Sequence, residues 1–571
     1  MINSAMVKTL ILGAMPEGTR QEDCLAAGPW CFAGRDYLFP DWENFTFAPE
    51  PLRAPAQLES CAKYALRIYA EALPAIAATL CPDNTLPRTY WETLLSPWGV
   101  DVARQIAERW TRVLSMTRCW GRLSLRVPLL PQECAFIFAT GHDFTLYGAL
   151  GAVFNHWLLS RLLEAVWPES WQKEFLPPVR ESYGESGENR SWGLKSRLKK
   201  CLGNLVLRLP CPPLKGVSLG QSLLFSLALL HKSRGEDRSA PPADAFSGAK
   251  THAPDLPMPC LPVFLAALPE SLRKLGHPRV LTVTRAPRLR IASILAYENE
   301  AYRQRLAVWR GCGNRLMYVQ HGAGYGQALT HCLPAAVEYC QHAFGTWGWR
   351  EYTGHRGNFV PLPYPQLARI ADRHMEGGET LLFVGTEMPL FPYRLDACPT
   401  PLQVMDYRRA KKRFFAALRP DLRGRALYRP YFPIPGTLGD ADWLLPQFPQ
   451  VRLCAGSLAR QMLSCRLLVL DHPGTTMLEA LAADVPTVLY WSCPAWLCTP
   501  QSENMRGELA AAGIWYPTPE EAAGAAERVF DNPAWWRSAP VQTARRRYCA
   551  VYAMTVRGGE NAYWLNTLVK L

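Results

Sequence analysis

The sequence predicts an α/β fold built on parallel sheets, and three observations carry that prediction. From residue 279 onward short apolar runs recur: RVLTVT (Arg279 to Thr284), RLMYVQHG (Arg315 to Gly322), HAFGTWGW (His342 to Trp349), TLLFVGT (Thr380 to Thr386), RALYRPY (Arg425 to Tyr431), RLLVLDHPG (Arg466 to Gly474) and VPTVLYW (Val485 to Trp491). Helical segments separate most of them, as strands of a parallel sheet buried on both faces require. The composition, 49% hydrophobic with 20 Trp in 571 residues, is that of a packed globular chain and excludes a disordered or collagen-like one. Ligands of such sheets sit outside the carboxyl ends of the strands, so the residues just after each run are the candidates for chemistry.

The elements follow in order. TLILGA is a first strand entering a loop at Gly13 and Pro16, too short and too interrupted by Lys8 and Thr9 for a secretory segment. Between Leu58 and Leu80 the apolar positions Leu58, Ala62, Ala65, Leu66, Tyr69, Leu73 and Ile76 step by three and four, one face of a helix. Aromatics crowd RTYWETLLSPW, IAERW and FNHWLLSRLLEAVW, so residues 55–175 read as mainly helical. Residues 177–262 form a loop-rich insert, with a basic cluster (Lys195 to Lys200) and a Pro/Gly/Ser/Ala-rich stretch around one apolar segment, Val217 to Leu230, shorter than the ~20 residues that span a bilayer. The expected division is 1–365 as an N-terminal Rossmann-like, acceptor-side domain, 366–545 as a C-terminal Rossmann-like, nucleotide-sugar-binding domain, and 546–571 as a helix packing back. Eighteen Cys lie mostly in apolar contexts (Cys201, Cys340, Cys454, Cys465) without a CxxC pair, which indicates reduced thiols and a cytosolic chain, soluble or membrane-peripheral.

Three constellations stand out. Asp471-His472-Pro473-Gly474-Thr475-Thr476 closes a buried strand and opens an apolar helix; Thr475 is the expected N-cap, the helix N–H groups suit a phosphate, and Glu479 one turn on suits ribose hydroxyls. An ordinary capped βαβ turn is the plainer reading. Gln320-His321-Gly322-Ala323-Gly324 follows another strand, where glycines admit a close ligand and His321 is a candidate base or phosphate contact; a Gly-rich turn with a hydrogen-bonded His is its plainer reading. Arg429, between Tyr428 and Tyr431, stands at a strand end where a guanidinium suits a phosphate, with an ordinary surface arginine as the equal alternative, and Thr386 and Glu387 open the loop of a neighbouring strand. In the N-terminal half His142 and Asp143 follow AFIFAT, and Trp30 and Asp36 follow the first strand; a helix cap is the plainer reading of either Asp. Arg285, Arg288 and Arg290 offer positive charge after RVLTVT. No HExxH, Walker loop or GxSxG elbow is present and no Cys/His cluster has metal-ligand spacing, so no required metal is expected.

Together these blocks resemble a GT-B glycosyltransferase. RTYWETLLSPW, YVQHGAGYG, FGTWGW, NFVPLP (Asn358 to Pro363), HPGTTMLEALAADVPT, AGIWYPTPEEAA (Ala512 to Ala523) and NPAWWRS, in that order from about Trp30 to Trp536, resemble the large transferases encoded in bacterial O-antigen and other surface-polysaccharide loci. The His-Pro motif is also similar to that of bacterial sialyltransferases and Kdo transferases, where it contacts the phosphate of a CMP-activated sugar. The resemblance implies two Rossmann-like domains facing a cleft and a metal-independent sugar transferase. It places His472, Pro473, Thr475 and Thr476 on the donor phosphate and Glu479 near the ribose, with Gly474, Arg429, Thr386, Glu387, Gln320, Gly322 and Gly324 as further donor-binding candidates. His321, His142 and Asp143 are the candidate catalytic residues. No cofactor is implied; the partners are a nucleotide sugar, expected as a CMP-sugar, a lipid-linked glycan acceptor and the inner-membrane surface. A net charge of +13 fits these anionic partners, and the dispersed basic residues argue against the alternative of a nucleic-acid-binding protein. A catalytically degenerate GT-B scaffold in polysaccharide assembly is the other alternative.

Overall fold

The computed structural model describes residues 7–571 except 84, 185–206, 215, 232–254, 257, 279 and 285–287. The basic cluster Lys195 to Lys200, Arg285 and much of the predicted insert lie outside the described residues. The chain is α/β, and every paired strand runs parallel to its neighbours.

The C-terminal sheet contains β11 (Leu381–Val384), β12 (Ala426–Arg429), β13 (Arg452–Leu453), β14 (Leu467–Leu470), β15 (Thr487–Tyr490) and β16 (Trp515–Tyr516) in the order β13-β12-β11-β14-β15-β16. Counted within the sheet this is 3-2-1-4-5-6, the doubly wound Rossmann order, whose direction reverses between β11 and β14. The apolar runs are continuous because both faces are covered: Leu381, Phe383, Leu467 and Val469 pack into one core, and Leu382, Val384, Leu468 and Leu470 into another.

The first 365 residues hold more than one sheet. Strands β1 (Lys8–Ile11), β2 (Cys24–Ala26), β3 (Leu125–Leu129) and β5 (Trp171–Phe175) form one in the order β2-β1-β3-β5, and β4 (Ala135–Phe138) pairs with β6 (Arg180–Tyr183). Strands β7 (Leu289–Ala292), β8 (Arg315–Val319), β9 (Ala343–Thr346) and β10 (Phe359–Pro361) form another in simple succession. The strand predicted at RVLTVT does not form. Val280 and Val283 are exposed, and the pairing partner of β8 is the next apolar segment, whose Ile291 and Ala292 are fully buried. Burial, not β-branched content, decides which run pairs.

Helix α1 (Pro55–Leu80) matches the predicted periodicity and packs on α2 (Arg88–Trp120), which joins RTYWETLLSPW and IAERW through an internal Pro97. Helix α2 is buried along most of its length, including Asp101, Arg104, Gln105, Glu108, Arg109 and Arg112. These groups pair among themselves: Arg112 with Glu108 and, at 3.0 Å, with Glu50, Arg109 with Glu108, and Arg104 with Asp101. Two of them reach the loop after β11, where Arg109 donates to the Pro392 carbonyl at 3.0 Å and Gln105 to that of Tyr393 at 3.2 Å.

Four further helices matter below: α3 (Leu219–His231), α4 (Pro401–Ala417), α5 (Thr475–Ala482) and α6 (Glu560–Lys570). Helices α3 and α6 cover the β7–β10 sheet, with Trp564 and Leu568 of α6 packed against Ile291 and Met317. No described helix is long and apolar enough to cross a membrane. The described cysteines are free thiols.

Candidate functional site

Register sets the site. Val384 pairs with Arg429 on one side and Leu470 on the other, so β11, β12 and β14 end level and their following loops leave one edge. That edge is the point where strand order reverses, and a cavity of about 670 Å³ opens there. Thr386, Arg394 and Asp396 line it from the β11 loop, Arg429 and Tyr431 from the β12 loop, and His472 to Thr476 from the turn after β14. The loop after β8 adds Ala323 and Gly324 and the segment after β15 adds Trp496, so the wall draws on two sheets.

The Asp471–Thr476 turn is held from beneath. Asp471 is buried; its Oδ1 accepts the Thr386 N–H at 2.9 Å and lies 2.9 Å from His472 Nδ1, which orients the imidazole. Tyr407 on α4 donates to the Asp471 carbonyl and accepts the Trp496 indole N–H at 2.7 Å. Lys411, one turn along α4, bonds Asp440 and the Thr386 carbonyl and stands 3.7 Å from Asp471 Oδ2. Burial opposes the Lys411 charge, but Asp440 and Asp471 outweigh it and hold the pKa above the usual lysine value. The His472 ring folds back over position 474, where a Cβ would meet its Nε2 at 2.4 Å, so a larger residue there would push the ring out of place.

The predicted N-cap moves by one residue. Gly474 occupies the cap with extended backbone and Thr475 is the first helical residue. Thr475 Oγ1 instead accepts the Ala323 N–H at 3.1 Å, bonding the Gly-rich loop of one sheet to the helix N-terminus of the other. Gln320 ties its own loop to the segment after β9. Its Oε1 accepts the Trp347 amide and the Trp349 indole at 2.9 Å each, and its Nε2 donates to the Gly322 carbonyl at 2.8 Å. His321 stands two residues before the cavity wall, with Tyr325 Oη 3.2 Å from its ring nitrogens and Glu338 Oε1 3.7 Å from Nδ1. Glu338 is buried, accepts Tyr297 Oη–H at 2.8 Å and Tyr325 Oη–H at 3.3 Å, and leaves Oε2 without a hydrogen-bond partner. Burial pushes its pKa up to about 8 against the pull of the two tyrosines.

A family model described as LIC12162 family transferase matches residues 8–568. The chain belongs to this family. Comparison with curated proteins returns no match. Among solved structures, a mutant of the Thermobaculum terrenum O-GlcNAc transferase is similar at 12% identity, covering 95% of this chain and 86% of that one with a TM-score of 0.29, too weak a likeness to carry an argument.

In this LIC12162 family chain the cavity gathers His472, Pro473, Gly474, Thr475, Thr476, Arg429, Thr386 and Gly324 of the predicted site. Arg429 also donates to the Cys454 and Gly456 carbonyls at 3.2 and 3.0 Å, which fixes its guanidinium. Gln320, Gly322, His321, Glu387 and Glu479 are not part of the wall. Glu479 turns toward Gln366, whose Nε2 donates to it at 2.8 Å. Glu387 sits behind the wall beside Asp440, where burial and that neighbour raise its pKa to about 7. His142 is exposed, and Asp143 caps its own turn, accepting the Thr140 N–H at 2.9 Å and its hydroxyl at 2.7 Å. Trp30 is a core residue bonded to the Leu12 carbonyl, and Asp36 lies 3.5 Å from Arg408. Arg288 is exposed and Arg290 lies over the Trp309 ring, away from the cavity.

Sequence reasoning missed His331, Arg394, Asp396 and Glu338. His331 lines the cavity with its pKa lowered to about 4 by burial, hence as a neutral ring, and Tyr339 Oη lies 2.8 Å from Nδ1. The Arg394-Leu395-Asp396 triplet was the available signal, charged residues in a Pro-bracketed loop directly after a buried strand.

Proposed function

We propose that the chain is a GT-B-type glycosyltransferase of surface-polysaccharide synthesis, O-antigen or capsule. It moves a sugar, Kdo- or nonulosonate-like, from a CMP-activated donor to a lipid-linked glycan at the inner membrane surface. The observation that carries the reading is the cavity at the Rossmann reversal point, walled by a helix N-terminus, His472 and Arg429. Family membership and the His-Pro turn add to it. An acceptor hydroxyl attacks the anomeric carbon, the bond from that carbon to the phosphate oxygen breaks, and the nucleotide leaves with the electron pair. The free N–H groups at the start of α5, with the His472 and Arg429 side chains, stabilise the charge on the departing phosphate. His321 is the proposed base for the acceptor proton, and Glu338 its positioning carboxyl through the shared Tyr325 hydroxyl.

Calorimetry with cytidine and uridine mono- and diphosphates tests the reading. CMP is expected to bind, with His472→Ala and Arg429→Ala each weakening it about 10- to 100-fold, the range of a charge-assisted hydrogen bond. A folded wild-type protein that binds none of the four overturns it. Tight binding of UDP alone would keep the transferase and replace the donor.

A further inference from the structure

In the loop after β11 the stretch Pro392 to Asp396 is tied to its surroundings at every position but one. The Pro392 carbonyl accepts Arg109 at 3.0 Å and that of Tyr393 accepts Gln105 at 3.2 Å, both from α2. Leu395 is buried and its carbonyl accepts the Thr330 hydroxyl at 2.8 Å, while Asp396 Oδ1 accepts the Cys332 N–H at 3.2 Å. Between them Arg394 lines the cavity, exposed, and makes no hydrogen bond or ion pair with any described residue. Its guanidinium lies over the Tyr393 ring, 4.7 Å from the centroid, a contact that steadies the cation without neutralising it. A cation held on a fixed loop, facing a cavity without a counter-charge from the protein, is built to receive an anion, because its position is set before the ligand arrives.

The cavity therefore offers guanidinium groups from two loops, Arg394 after β11 and Arg429 after β12. Tyr431, just past Arg429, shows that they share one part of the wall: burial raises its pKa and the Arg394 charge pulls it back. The one carboxylate among the lining residues, Asp396, is bonded to the Cys332 N–H and forms no ion pair with Arg394. A single donor phosphate engages Arg429 and the helix N-terminus, and Arg394 calls for a second negative group close to the first. In a 2-keto sugar acid the carboxylate is bonded to the anomeric carbon, the same carbon that carries the phosphate oxygen, so the two charges enter side by side.

We propose that Arg394 is the specificity-determining residue for this carboxylate, so that the site selects acidic sugars because a neutral one leaves the guanidinium without its partner. The assignment rests on the CMP-donor reading above and adds which group of the sugar is recognised and by which residue.

Calorimetry with the full-length protein tests it, using CMP, CMP-N-acetylneuraminate and CMP-Kdo, with UMP and UDP beside them. The wild type is expected to bind at least one of the two acidic donors about 10- to 100-fold more tightly than CMP, the range of a charge-assisted hydrogen bond. Arg394→Gln is expected to lose that gain while binding CMP as the wild type does, which also shows that the variant is folded. The proposal is overturned if neither acidic donor binds more tightly than CMP, if Arg394→Gln keeps the gain, or if it weakens CMP to the same extent, which would put Arg394 on the phosphate. It is equally overturned if the wild type prefers UDP to UMP and Arg394→Gln erases that preference, which would make the second anion a β-phosphate. A wild type that binds no CMP ends the donor reading and this assignment with it, whereas one that binds CMP and fails any of these comparisons ends the carboxylate assignment alone.

Discussion

Glu338 shows how much a single side chain can be hidden from sequence and still matter. Its two phenol partners lie 41 and 13 residues away along the chain, and it is an ordinary glutamate in an apolar stretch. Burial keeps its proton on up to about pH 8 in the folded protein, whereas the unfolded chain gives it up near 4.5. Its stabilising contribution is therefore complete below the lower value and is lost as pH rises through the upper one. Across that window the group favours unfolding by about 1.4 kcal/mol per pH unit. Glu338→Gln removes this dependence, so urea unfolding at about pH 5.5 and about pH 7.5 should show a smaller difference in stability than the wild type. Equal pH slopes in the two proteins would rule out a buried, protonated Glu338. The cavity histidine at 472 was legible by contrast, because Asp471, Pro473 and Gly474 beside it form a local pattern that needs no tertiary contact to recognise.

At the scale of elements, α4 is the support of the site. Tyr407, Arg408 and Lys411 all point inward from it, toward the Asp471 carbonyl, Asp440 and the Thr386 carbonyl. Lys411→Met leaves Asp440 and Asp471 facing each other without the intervening cation. The expected cost is about 3–5 kcal/mol, read as a lowered urea midpoint with an unchanged slope. Loss of under about 1 kcal/mol would mean that Arg408 alone compensates Asp440. Strands in this half were legible because burial on both faces leaves unbroken apolar runs, from TLLFVGT to VPTVLYW. The two-residue strands β13 and β16 were not, since pairs such as Arg452–Leu453 carry no period. Helix α2 was legible only in pieces: its charged residues suggest a solvated face, and partners such as Glu50 and Pro392 come from distant segments.

At the scale of the molecule, the N-terminal elements and the C-terminal sheet share one core. Leu390, Phe391 and Leu395 of the β11 loop pack among residues of α1, α2 and the first sheet, and Phe391 stacks on Trp30 at 5.2 Å. Arg408 and Arg409 of α4 reach Asp36 and Glu43. The loop that presents Thr386, Arg394 and Asp396 is thus backed by the N-terminal half, whose several sheets composition and periodicity did not distinguish. The six-stranded sheet finishes at either rim in strands of two residues, and the exposed strand β5 carries Lys173 and Glu174 at its surface. The two-residue rims of the six-stranded sheet offer almost no free backbone for a foreign strand to copy, so β-type aggregation has little to start from at that sheet.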